Sequence, residues 1–120
     1  MILVDTSVWI DHGRRRNDQL ARWLTEGLVL GHPFVQGELA SGQMPRRSEV
    51  LALFDQLPPA TVVSHQEMLH FVDQHRLMGR GLGWIDLHLL ASTRLSRATL
   101  ATHDRLLLQA ARALGVSTSD

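Results

Sequence analysis

The chain has no cysteine and no lysine. Without cysteine there are no disulfides, no thiolate metal sites and no cysteine nucleophile. Without lysine, no mechanism that needs a lysine can run. All twelve basic residues are arginine. Arginine suits bidentate phosphate contacts, although a complete absence of lysine also follows from genome base composition. Net charge is absent too: 12 basic residues balance 12 acidic ones, so bulk charge does not announce a nucleic-acid partner. No apolar run is long enough to cross a bilayer. The first apolar run has no basic stretch before it and meets Asp5 at once, so it does not read as a signal peptide. A cytoplasmic protein with no membrane partner is expected. The 120 residues suit a single domain over 1–120, with one core and not two. An apolar fraction of 44% argues against disorder.

Short apolar runs alternate with helical stripes. Strands are expected at Ile2–Asp5, Leu28–Leu30, Thr61–Val63, Ala98–Ala101 and, briefly, Val116–Ser117. Thr6 or Ser7 can cap a short helix to about His12, and Asn17 can cap one whose face is Leu20, Trp23 and Leu24. Pro33 suits the first turn of a helix to about Ser41. Val50, Leu51, Phe54 and Leu57 form a stripe ended by Pro58-Pro59. Ser64 with Glu67 is a capping box opening a helix to about Met78, and further helices run from Trp84 to about Ser96 and from Asp104 to Leu114. The strands are short and wholly apolar, which indicates a parallel sheet covered on both faces. In such sheets ligands gather at the carboxyl ends of the strands. Asp5 ends the first strand and Asp104 follows the fourth.

Two further carboxylates fall on or near apolar faces. Glu38 lies four residues after Phe34 and three after Val35; Asp86 precedes Leu89 by three and Leu90 by four. Each acid has an ordinary structural reading. Asp5 could cap the helix after its strand, and Asp104 could cap its own. Caps do not sit mid-helix or behind Ile85, so Glu38 and Asp86 would instead need an arginine partner. Taken together, four ionised carboxylates in one crevice repel one another and need a counter-charge. A hard divalent cation supplies it, and oxygen ligands are what Mg²⁺ or Mn²⁺ prefers. Such an ion can activate water for attack on a phosphodiester. The seven histidines are scattered, without a pair at zinc-binding spacing. His103, beside Asp104, reads as a plain loop residue.

Other readings of an acid after a parallel strand fare worse. A receiver-type phosphoacceptor or a haloacid-dehalogenase-type phosphatase wants a lysine, and the phosphatase wants a second Asp where Ser7 stands. Gly79-Arg80-Gly81-Leu82-Gly83 follows a helix and lacks dinucleotide-binding spacing, so it reads as a connection.

The segments MILVDTSVWIDH, PFVQGELASG, GRGLGWIDLHLLASTRL and ATLATHDRLLLQAARALGV resemble, in order, the PIN-domain nucleases. The nearest form is the VapC-type toxin of toxin–antitoxin pairs. The resemblance implies an α/β, three-layer sandwich with a central parallel sheet of about five short strands, the first beside the fourth. It implies an Mg²⁺- or Mn²⁺-dependent endoribonuclease that leaves 5′-phosphate and 3′-hydroxyl ends, with transfer RNA or exposed ribosomal RNA loops as targets. Asp5, Glu38, Asp86 and Asp104 match the family's catalytic, metal-binding acids; Ser7, with Thr6 and Thr102, matches its supporting hydroxyls. Some members carry a further acid just past the last; here Arg105, Leu106 and Leu107 follow Asp104. The implied partners are RNA, a second copy of the chain, and a cognate antitoxin lying across the active-site groove, through which alone DNA is bound.

RNA binding must then draw on local charge. Arg14, Arg15, Arg16, Arg46, Arg47 and Arg80 lie in or beside expected loops, where they could meet phosphates; each could equally be a solvated surface residue. The alternatives are a PIN fold that binds RNA or a partner without cutting, and an RNA-processing nuclease without an antitoxin.

Overall fold

The computed structural model describes residues 1–119. Three parallel strands, β1 (Ile2–Val4), β2 (Val29–Leu30) and β3 (Thr99–Ala101), lie in the order β2-β1-β3. Leu3, Val4, Val29, Leu30, Leu100 and Ala101 are all buried. Successive side chains of a strand point to opposite faces, so both faces of the sheet are covered. The covering elements are α1 (Thr6–Arg14), α2 (Asp18–Thr25), α3 (Pro33–Ser41), α4 (Arg47–Phe54), α5 (His65–Gln74), α6 (Trp84–Leu95) and α7 (Arg105–Ala113). One apolar cluster joins Leu3, Val8, Trp9, Leu20, Val35, Leu39 and Phe54. A second joins Met68, Leu77, Leu90, Leu100, Leu107 and Ala111. Helix α6 serves both, with Leu89 in the first and Leu90 in the second.

The sheet is extended by a single bridge at each edge, Gly31 with Pro59 and Leu100 with Thr118. Five extended segments therefore lie side by side, but the outer two differ from the sequence expectation. The third pairs at Pro59 rather than over Thr61–Val63. Gly31 N–H donates to Pro58 O at 2.8 Å and Ala60 N–H to Gly31 O at 2.9 Å, whereas Thr61 N–H turns away to Ser96 Oγ at 3.0 Å. Prolines lack the N–H that a longer ladder needs, which confines this segment to an edge. The fifth pairs over Ser117–Ser119, one residue beyond Val116–Ser117, because Val116 N–H is still bonded to Ala111 O at 2.9 Å in the helix stop. Gly115, at φ 72°, forms that stop.

Helix α5 ends at Gln74, short of Met78. Arg76 adopts the left-handed region at φ 52°, and Leu77 N–H reaches back to Val72 O at 3.0 Å. This is a Schellman stop whose apolar residue, Leu77, is buried in the second cluster. The strain at Arg76 is offset by that burial.

His32 fixes the entry to α3. It is buried, and its Nδ1 accepts the Phe34 N–H at 3.0 Å, so the ring proton sits on Nε2 and is donated to Ser92 Oγ at 3.1 Å. Protonation would place a hydrogen on Nδ1 against the Phe34 N–H. Burial, with His88 nearby, holds the imidazole down at about 4 from an ordinary 6.5. Below the ordinary value the unfolded chain takes up the proton and the fold does not. Stability is therefore expected to fall by roughly 3 kcal/mol as pH drops from about 6.5 to about 4, at ~1.4 kcal/mol per unit. Denaturant melts across that range check this. His32→Asn keeps the helix cap, lowers overall stability and reduces the slope, leaving the share of His75 and His88, which are also held below the ordinary value.

Candidate active site

The site begins with strand register. Val4 pairs with Ala101, so the next residues, Asp5 and Thr102, emerge together at the carboxyl edge of the sheet. Asp5 N–H donates to Ala101 O at 2.9 Å, and Thr102 Oγ1 donates to Asp5 Oδ2 at 2.7 Å. Ser7 Oγ donates to the same Oδ2 at 2.9 Å and accepts His103 N–H at 3.1 Å. Asp5 and Thr102 are both 5% exposed. Asp5 occupies the N-cap position of α1, yet its side chain makes no cap bond. Its carboxylate is oriented by two hydroxyls instead, which answers the structural reading of this residue.

Thr6 opens α1 and donates through Oγ1 to Glu38 Oε1 at 2.7 Å, tying α3 to the same edge. Glu38 is exposed, not inward-facing: Val35 and Leu39 form the buried stripe of α3 and Glu38 stands at its rim. Asp104 is also exposed, and it does cap α7, its Oδ1 accepting Leu106 N–H at 2.9 Å and Leu107 N–H at 3.1 Å. Thr102 Oγ1 accepts the Asp104 N–H at 3.0 Å, so one hydroxyl positions both acids. Asp86 corrects the premise that caps do not sit behind Ile85. Helix α6 starts only at Trp84, and Asp86 Oδ2 accepts Gly83 N–H at 3.1 Å from the first turn. This is half a capping box, since Gly83 has no side chain to return the bond.

Burial raises the Asp86 carboxyl above its ordinary range; the Gly83 N–H opposes this, and the charges of Asp5, Asp104 and Glu38 add to the rise. All four acids therefore act on one electrostatic field. Among the described residues no Arg or His lies within ion-pair distance of any of them. Nor, among those residues, do three His, Asp or Glu side chains come together closely enough to hold an ion directly. The donor set is all oxygen and anionic, which fits a hard divalent cation that retains several waters and takes one or two carboxylates directly.

Aromatic packing sets α3 against α6. His32, Phe34, His88, Trp84 and His65 form a ladder with successive ring centroids 5.3, 4.5, 5.2 and 5.6 Å apart. The His rungs went unrecognised in the sequence because they are spread over three elements. Asp11 was missed as well. It accepts from Arg15 Nε at 2.8 Å and Asn17 Nδ2 at 3.3 Å, and lies 3.5 Å from His103 Nε2. Its spacing from Arg15 was the available signal. Of the arginines singled out, Arg15 is held by Asp11, and Arg47 donates to Ala40 O at 3.1 and 2.7 Å, joining α4 to α3. Arg16 lies 3.3 Å from Asp18 with both side chains exposed. Arg14, Arg16 and Arg46 line one cavity, while Arg80 is exposed in the loop before α6.

A doubly covered parallel sheet with uncompensated acids on four different segments at its carboxyl edge is the arrangement of a PIN domain. The PIN domain family model matches residues 2–113, and the chain belongs to that family. Over 121 aligned positions it is 43% identical to "Ribonuclease VapC32" of Mycobacterium tuberculosis, in strains H37Rv and CDC 1551 / Oshkosh alike. The alignment covers 100% of this chain and 98% of each relative.

Removing one charge should relieve the repulsion. Because the folded state holds the Asp86 proton more tightly than the unfolded chain, its ionisation costs stability above the ordinary value of 3.8. Asp86→Asn keeps a carbonyl acceptor for Gly83. At neutral pH without divalent metal it is expected to raise the melting temperature by a few degrees, the gain disappearing below about pH 4. A large loss, read by calorimetry, would instead make the Asp86 bond to the Gly83 N–H a structural contact that outweighs the repulsion.

Proposed function

We propose that this protein is a metal-dependent endoribonuclease and the toxin of a toxin–antitoxin pair. The observation that supports this reading is that Asp5, Glu38 and Asp104 all act electrostatically on Asp86 while, among the described residues, no Arg or His lies within ion-pair distance of any of the four. The similarity to a VapC ribonuclease over its full length supports it.

In this reading Asp5, Glu38, Asp86 and Asp104 hold Mg²⁺ or Mn²⁺, some of them through water. The ion, when bound, supplies an activated water and neutralises charge on the scissile phosphate. Thr102 and Ser7 fix the direction in which Asp5 offers its carboxylate, and Thr6 does so for Glu38. Asp104 keeps one oxygen on the α7 amides, so α7 carries its remaining oxygen as a rigid body. At the cut itself the acidic edge repels a phosphate, so a cation would be needed there to hold the scissile group. The products are 5′-phosphate and 3′-hydroxyl ends. Single-stranded or looped RNA, such as transfer RNA or exposed ribosomal RNA loops, is the substrate class that protein side chains read most readily. A C-terminal segment of a cognate antitoxin covers the acidic groove, another part of that antitoxin carries the DNA contact, and the chain works as a cytoplasmic homodimer.

Purified protein incubated with bulk transfer RNA and total RNA, with Mg²⁺, Mn²⁺ or chelator, tests this beside Asp5→Asn. Discrete fragments that require metal and fall at least about a hundredfold in the variant are expected, the size of loss typical of a principal electrostatic group. Thr102→Val should retain the charge yet lose about tenfold in rate and about 1 kcal/mol in stability with its hydrogen bonds. Binding of RNA with no cleavage by the wild-type protein would favour a PIN fold that only binds.

A further inference from the structure

Beyond the acidic centre, a cavity of about 540 Å³ opens between the end of α1, α2 and the start of α4. Its rim carries Arg14, Arg16 and Arg46, and its walls include Leu24, Val50 and Leu53. His12 and Glu49 also line it, and Arg16 lies 3.3 Å from Asp18 in a solvent-exposed pair, which a phosphate can displace at little cost. Arg46 is held at the α4 N-cap in the left-handed region, φ 58°. The loop before Arg46 packs closely on α1, where Met44 Cε would lie 2.9 Å from a Cβ placed at Gly13.

The cavity neighbours a hollow that reaches one of the four acids, Glu38. Arg14 and Pro45 line both this cavity and the small hollow that contains Glu38. Helix α1 links the two ends, with Asp5 at its start and Arg14 in its last turn. Nine residues at 1.5 Å each separate them by ~14 Å, a span that a few nucleotides of single strand cover. A basic rim over an aliphatic floor, at that distance from a phosphodiester-cutting centre, is the chemistry of a nucleotide: phosphate on the guanidiniums and a splayed base on the apolar wall.

We propose that this cavity is a second RNA subsite, holding one nucleotide that flanks the scissile bond, with its phosphate between Arg16 and Arg46 and its base over Leu53. The subsite rests on the ribonuclease reading above, and it makes α1 a ruler between the position read and the position cut. Arg14, shared by both hollows, steers the strand from one to the other.

Binding in chelator separates the subsite from the cut. The probe is a fluorescein-labelled seven-nucleotide single-stranded RNA of mixed sequence, followed by anisotropy across a salt series. Arg16→Gln and Arg46→Gln are each expected to weaken binding about tenfold and to reduce the salt slope by about 0.7, as loss of one phosphate contact to a single strand requires. Leu53→Asn should weaken binding without changing the slope. Arg97→Gln, at the opposite edge of the sheet, should change neither. Unaltered affinity and slope in both arginine variants overturn the proposal. So does unaltered RNA affinity with loss of a complex with a co-expressed antitoxin, which assigns the cavity to a protein segment. Arginine-dependent binding by a wild-type protein that never cuts would sink the nuclease reading and leave the subsite standing.

Discussion

Two strands in parallel register bring Asp5 and Thr102 to one edge of the sheet, and a 2.7 Å hydrogen bond then fixes the carboxylate between two hydroxyls. Both residues are buried, so the bond forms where water competes little and an unmade partner would be costly. The same Thr102 hydroxyl accepts the Asp104 amide, and Ser7, bonded to the same Asp5 oxygen, accepts the next amide, His103. The start of α1 and the start of α7 are thus clamped to each other through two hydroxyls and one carboxylate. Every other acid is placed relative to this clamp.

What the clamp brings together, charge pushes apart. Asp86 carries burial and three neighbouring negative charges against a single amide. The fold tolerates this through rigid packing elsewhere: α6 is buried along most of its length in two apolar clusters, and the ring ladder ties it to α3. The repulsion is local and the compensation is distributed, the pattern of a functional site whose local cost is offset elsewhere in the fold.

Much of this was legible in the sequence because it depends on local pattern. Wholly apolar short strands gave the parallel sheet, and an acid directly after a strand gave the crevice. The acids' individual roles were less legible. Asp86 looked like a face residue because Leu89 and Leu90 follow it at helical spacing, although the helix start at Trp84 already put it in the first turn, within reach of the Gly83 N–H. Glu38 looked inward because Val35 and Leu39 flank it, but one step of 100° along a helix separates a core position from its rim. Arg47 read as a phosphate contact, yet the Ala40 carbonyl it meets is exposed only when α3 ends at Ser41. The edge strands are present but displaced from their expected positions, where proline and a helix stop overruled β propensity.

The Asp5–Thr102 bond joins residues 97 positions apart. During synthesis the chain emerges in order. A growing chain therefore displays Asp5, Thr6 and Glu38 well before Thr102 and Asp104 exist. Until β3 has docked beside β1, Asp5 has only Ser7 to orient it and α7 has no anchor. A partly made chain beside the ribosome, itself built of RNA, thus has no assembled acidic centre. The topology ties assembly of the acidic centre to completion of nearly all of the fold.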